Sequence, residues 1–146
     1  MGRLLDANLN RFKEGVRVVE DTLRYLYDNK DLAFRLKQVR HQATAVFIQN
    51  GISFLWLYAQ RDSLNDVLSP YDNSPPKGSS CLHMLQANFK RAQESARVLE
   101  ECFKYLNPSN PKAPSFKTLR YTLYTLEKEC MAFLNDLPKS GFFSVE

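Results

Sequence analysis

The sequence predicts an all-α protein, a helical bundle made of two duplicated hairpins related by a pseudo-twofold axis. Residues 7–26 (ANLNRFKEGVRVVEDTLRYL) and residues 87–106 (ANFKRAQESARVLEECFKYL) are identical at 9 of 20 positions at a constant offset of 80. Identity at one fixed offset marks an internal duplication. The offset continues into LKQVR at 36–40 against FKTLR at 116–120, so the repeated unit is two helices and a turn. In both copies apolar residues recur at steps of three and four, and no stretch alternates as a half-buried strand would.

Taken in order, Asp6 is a suitable N-cap for a first helix in which Leu9, Phe12, Val16, Val19, Leu23 and Leu26 form the apolar stripe, ending near Asn29. A seam of Asn8, Arg11, Gly15, Val18 and Thr22 borders that stripe. The second helix opens near Asp31 and runs through Leu36, Val39, Ala43 and Phe47 to about Gln49, with Gly51 ending or bending it. SFLWLYAQ reads as a further short helix that stops before Arg61 and Asp62. SPYDNSPPKGSS, at 69–80, has the composition of a surface linker. The third helix begins near Leu82 and stops at Asn107–Pro108, because proline cannot continue it. The fourth follows Pro114, with Ser115 as cap, and runs to Pro138. The chain is thus one helical domain over 1–146: first repeat at about 4–60, linker at about 61–80, second repeat at about 81–138.

With 146 residues, 44% hydrophobic and 25% charged, the chain is long enough to bury a core. The longest apolar run, at 46–59, is interrupted by Gln49, Asn50, Gly51 and Ser53 and is shorter than a bilayer span. The first residues lack the apolar core of a signal peptide, which points to the cytoplasm. Three cysteines without paired spacing suit buried thiols rather than disulfides, and Cys81-x-His83 has no second ligand pair to make a zinc site. A net charge of +4 and a pI near 9.0 predict anionic company. The bases are interleaved with acids and lack a regular aromatic platform, which argues against nucleic acid.

The shared residues are polar as well as apolar. Asn8, Arg11, Glu14, Arg17 and Glu20 reappear as Asn88, Arg91, Glu94, Arg97 and Glu100, which packing alone does not require. Asp21, Arg24, Glu101 and Lys104 keep charge but not identity and read as a solvated face of ion pairs. For Asn8, Arg11, Glu14 and their copies two readings stand. One is a buried network of Arg and Glu across the pseudo-twofold axis. The other is an anion site in which Arg11 and Arg91 form a fork for phosphoryl oxygens and Glu14 or Glu94 holds a divalent ion. Arg40 and Arg120 also share the offset, with His41 beside Arg40, and Arg61, Asp62 and Asp66 lie in the loop ahead of the linker. Neither glycine-rich phosphate loop is present.

Together DANLNRFKEGVRVVEDTLRY, LKQVRH, RDSLNDV, LQANFKRAQESARVLEE and FKTLRY, covering roughly residues 4–130, resemble a known family. It is that of the small monofunctional hydroxymethylpyrimidine-phosphate kinases of thiamine biosynthesis, which also occur as an N-terminal extension fused to thiamine-phosphate synthase. The resemblance implies a phosphotransferase that moves the γ-phosphoryl group of ATP, with magnesium, onto hydroxymethylpyrimidine phosphate. Such an acceptor is largely ionised near neutral pH and needs no general base, so catalysis reduces to positioning and charge neutralisation. On that reading Arg11, Arg17, Arg40, Arg91 and Arg97 neutralise the transferred group, while Asn8, Asn88, His41, Arg61 and Arg120 bind substrate. Glu14, Glu94, Asp62 and Asp66 are then the metal candidates. Leu68 follows the RD-x-x-x-DV segment where the family usually has Gly, and no synthase domain follows residue 146. The alternative is a non-catalytic helical module that docks on or regulates a thiamine-phosphate synthase, its arginines serving as internal struts. A homo-oligomer is compatible with either.

Overall fold

The computed structural model describes residues 1–72, 80–109 and 115–138, and among these every regular element is helical. Helix α1 (Gly2–Asp21) runs into one π-helical turn (Thr22–Leu26) and is followed by α2 (Lys30–Gln49) and the short α3 (Phe54–Gln60). After a 3-10 turn (Ser69–Tyr71) come α4 (Cys81–Leu106) and α5 (Phe116–Asn135). Four main helices and one short one are what the periodicity predicts. Most of the expected 69–80 linker, Pro114 and the stretch beyond Pro138 lie outside the described residues. No helix among the described residues is long and apolar enough to cross a membrane.

Side-chain oxygens start four of the helices. Asn29 accepts from the Leu32 amide, Ser53 from Trp56, Ser80 from His83 and Ser115 from Thr118, each satisfying an amide that has no partner within its helix. The first helix departs from expectation. It begins at Gly2 with Met1 as N-cap and no side-chain bond, so Asp6 is an interior residue, and a buried one.

α1 packs against α2 and α4, and α5 packs against α4 and α2, closing a square in which each hairpin supplies two neighbouring helices. α3 lies against α1. Tyr27, beyond the end of α1, donates to Cys81 at the start of α4, at 3.3 Å. Leu5 near the start of α1 shares a cavity wall with Leu106 at the end of α4. α1 and α4 are therefore antiparallel, and the axis relating the repeats lies across the helices. They approach closely at Gly15, where a Cβ would stand 2.8 Å from the Asn88 carbonyl oxygen and 3.2 Å from the Ala92 amide nitrogen. Only a residue without a side chain allows that contact.

The stripes of the two copies meet in one core: Leu9, Phe12, Val16, Val19 and Leu23 from α1, with Phe89, Ala92, Ala96 and Leu99 from α4. Its aromatic part is not duplicated. Phe116 meets Phe12 at 5.6 Å, Phe47 at 5.9 Å and Phe103 at 5.8 Å between ring centroids. The residues 80 positions away are Leu36, Ala92, Glu127 and Leu23, so the rings gather toward one end of the bundle.

Gly15→Ala adds helix propensity worth ~1 kcal/mol, yet the new methyl meets backbone rather than a movable side chain. The expected outcome is a net loss of about 1–2 kcal/mol, as for an overpacked core, read as a fall of several degrees in Tm. An unchanged or raised Tm would show that the helices separate freely at this crossing.

Candidate functional site

Two of the shared carboxylates are buried at the join between the helices of each hairpin. Glu20 is 1% exposed and Glu100 6%. Arg40 of α2 reaches Glu20 through Nε at 3.1 Å and a terminal nitrogen at 3.2 Å. Arg120 of α5 holds Glu100 through the same two nitrogens, both on the one oxygen Oε2, at 3.1 and 2.8 Å. Arg17 adds a contact to Glu20 at 3.5 Å, and Arg97 one to Glu100 at 3.7 Å. The offset of 80 thus preserves the constellation of residues, with the guanidinium of Arg40 spanning both oxygens of Glu20 and that of Arg120 closing on one oxygen of Glu100.

This differs from the buried network expected across the pseudo-twofold axis. Each pair closes its own hairpin and uses Glu20 and Glu100, not Glu14 and Glu94. Arg11, Arg91, Glu14 and Glu94 are exposed. Among the described residues neither Arg11 nor Arg91 has an ion-pair partner, and neither lines the cavities beside Glu20, Glu100, Lys13 or Trp56. Asn8 and Asn88 return their side-chain amides to the carbonyls four residues back, Leu4 at 3.0 Å and Met84 at 2.9 Å. His41 is exposed on α2.

The residues around the 61–66 loop have local duties. Arg61 holds Asp6 through two bonds of 2.8 Å, tying the end of α3 to α1, and lies over the Tyr58 ring. Asp62 accepts from the Asn65 backbone at 3.2 Å and side chain at 2.8 Å, which lowers its pKa below the ordinary carboxylate value. Asp66 accepts from the Leu68 amide at 3.0 Å. Among the described residues no three of His, Cys, Asp and Glu come together in a group able to hold a metal ion. All three cysteines are free, and burial pushes the Cys130 thiol up to about 12.

Two clefts open over the buried carboxylates, and they are copies of one another. The first, of about 350 Å³, lies over Glu20 and includes Arg24, Asp28, Lys30 and Lys37. The second, of about 410 Å³, lies over Glu100 and includes Lys104, Pro108 and Lys117, with apolar walls from Val46, Phe103 and Phe116. Arg24 and Lys104, Asp28 and Pro108, and Lys37 and Lys117 are each 80 apart. Neither cleft figures in the expected site. The signal for them was the lysine shared by LKQVR and FKTLR, together with the retained charge at Arg24 and Lys104. Because α1 and α4 are antiparallel, Glu20 and Glu100 fall on opposite sides of the Gly15 crossing, roughly 20 Å apart along the bundle.

The second carboxylate is electrostatically well served. Burial would raise the pKa of Glu100, but hydrogen bonds and charge from Arg120 and Lys104 outweigh it and leave it below its ordinary value. Lys13, beside Arg40 and Arg17, has its pKa lowered by burial and by the Arg40 charge.

Fold and site define a duplicated helical domain whose shared arginines mostly serve buried carboxylates and whose open polar clefts lie toward opposite ends. The chain matches the ThiD2 family over residues 3–129 and belongs to that family. It is 40% identical over 128 residues to a thiamine-phosphate synthase of Synechocystis, covering 87% of this chain and 35% of that protein. The corresponding figures are 36% over 130 residues for the synthase of Nostoc punctiforme, covering 88% of this chain and 35% of the relative. For that of Gloeobacter violaceus they are 39% over 127 residues, covering 86% and 35%. The chain therefore spans about 35% of the length of these relatives, a share that agrees with the implied fusion to a synthase. Their names overturn the expectation of a phosphomethylpyrimidine kinase, since each is called a synthase and the family match adds no kinase. No solved structure matches the chain.

Arg40→Ala leaves the Glu20 carboxylate buried and without its fork, and should cost about 3 kcal/mol or more. Arg11→Ala should stay within about 0.5 kcal/mol. Urea unfolding of the two variants checks this, and equal losses would contradict the pairing. Because the folded pKa of Glu100 is depressed, its contribution is present above about pH 4.5 and is lost as pH falls through the folded value. Urea midpoints should hold from pH 7 to 5 and drop below 4.5, with a shallower drop in Glu100→Gln.

Proposed function

We propose that the chain is a helical module of thiamine biosynthesis that works in association with thiamine-phosphate synthase, as its attached or docked partner. The observation that carries this reading is that nearly the whole chain matches a minor part of proteins named thiamine-phosphate synthase. In those relatives a domain of this kind belongs to the same polypeptide as the rest of a synthase. Two features of the molecule support the association. Arg17, Arg40, Arg97 and Arg120 are committed to Glu20 and Glu100, as internal struts would be. In addition α3 and the segment after it expose apolar side chains in succession: Leu55 (82%), Tyr58 (60%), Leu64, Val67, Leu68 and Tyr71. Large apolar groups exposed together are the mark of an interaction surface, and the occupant this reading assigns is the synthase portion that the relatives carry beyond the matched part.

The test uses the Synechocystis synthase with its matched segment removed and this chain added in trans. Calorimetry should show saturable association, and synthase turnover should change on addition. Leu55→Asp combined with Tyr58→Asp should weaken association at least about tenfold while helical circular dichroism is kept. No association together with unchanged turnover would overturn the reading.

A further inference from the structure

The cleft over Glu20 is lined by residues between 20 and 37, none of them in α3 or the segment after it, and among the described residues three cations gather there without a carboxylate partner. Arg24, Lys30 and Lys37 line it, yet among the described residues none of the three has a carboxylate within ion-pair distance. Arg24 rests over the Tyr25 ring at 4.9 Å instead. Arg11 and Arg91 are also without a carboxylate partner among the described residues, but neither lines either cleft, whereas Arg40, Lys104 and Arg120, beside the buried carboxylates, are all paired. The Glu20 carboxylate at the base is already committed to Arg40, which leaves Asp28 as the one uncommitted acid on the wall. The cleft carries a surplus of positive charge in a concave space, where each cation is less screened than on an open face.

Local backbone distinguishes this cleft from its copy. Where α4 continues as α-helix to Leu106, the first repeat makes its π-helical turn at Thr22–Leu26, which carries Arg24. Asp28 then takes φ +50, a left-handed conformation, and the Asn29 amide reaches back to the Leu23 carbonyl at 2.8 Å. π-turns and left-handed non-glycine residues are found disproportionately at functional sites. In the copy Pro108 replaces Asp28, and Lys104 is held by Glu100 at 3.3 Å and Glu101 at 3.1 Å. Shared ancestry supplies the cleft in both repeats, but among the described residues three cations without a carboxylate partner line the first and one, Lys117, lines the second.

We propose that the cleft formed by Arg24, Lys30 and Lys37 binds a small oxyanion with two or more negative charges, either free or as the phosphoryl end of a phosphomonoester. Three cations at a concave site suit a phosphate-class anion better than a carboxylate or chloride, because a dianion engages several donors at once. Phe34, 57% exposed on the same wall, offers an apolar surface to any organic part. The inference stands apart from the synthase association.

The test is amide-resolved NMR titration of the full chain with inorganic phosphate, inorganic diphosphate and phenyl phosphate, against sodium chloride at equal ionic strength. The expected result is saturable shifts confined to the 20–37 region. Arg24→Gln with Lys37→Gln should weaken binding at least about tenfold, while Lys117→Gln, in the copy, leaves it unchanged. Tighter binding of phenyl phosphate, lost in Phe34→Ala, identifies a phosphomonoester, and equal binding of phenyl phosphate and phosphate identifies the free anion. Shifts no larger than chloride gives, shifts scattered over the basic surface, or equal weakening by Lys117→Gln would overturn the proposal. The chain is titrated alone, so failure here leaves the synthase reading intact and the converse also holds.

Discussion

The carboxylate of Glu20 lies almost wholly out of water, and so does that of Glu100. A charge in that position is destabilising unless a partner of opposite sign and matching geometry comes with it. Arg40 and Arg120 bring that partner from the second helix of each hairpin, which sets how α2 lies on α1 and α5 on α4. Hydrophobic burial holds the helices together, and interdigitated side chains resist slides along them. A doubly hydrogen-bonded ionic contact adds a directional constraint to the register of each hairpin. Because both repeats use the same contact, the two hairpins keep similar shapes while their cores diverge.

The helices were legible in the sequence because burial imposes a 3.6-residue rhythm, and the duplication because identity survived at one offset. The site was legible only in part. Identity at Arg11 and Arg91 suggested burial, but a seam at steps of three and four borders the apolar stripe on either flank. Periodicity does not say which flank the neighbouring helix covers. Covered instead were Glu20 and Glu100, whose partners are 20 residues further along the chain. Asp6 shows the same difficulty from another side. It has the chemistry of a cap, but its partner Arg61 is 55 positions away, and no local rule reports such a pair. The two clefts were marked by a lysine shared between LKQVR and FKTLR and by the retained charge at Arg24 and Lys104.

Divergence after duplication has been uneven in a physically readable way. The end of the bundle near Phe103 and Phe116 took the aromatic rings, and the cleft there became largely apolar. The opposite end took the π-helical turn, and among the described residues its cations have no carboxylate partner. The two copied hollows now differ in character, one more cationic and the other more apolar, around a buried Arg–Glu contact that both retain.

The axis that relates the hairpins runs across the helices rather than along them, and this has a chemical consequence. Reacting atoms must come within ~3–3.5 Å of each other for a group to pass between them, whereas the two hollows are separated by roughly 20 Å of packed helix. Molecules lodged in them could not exchange a group directly. The packed path between the two hollows runs through the α1–α4 and α2–α5 contacts, and Gly15 lies where the α1 and α4 backbones touch.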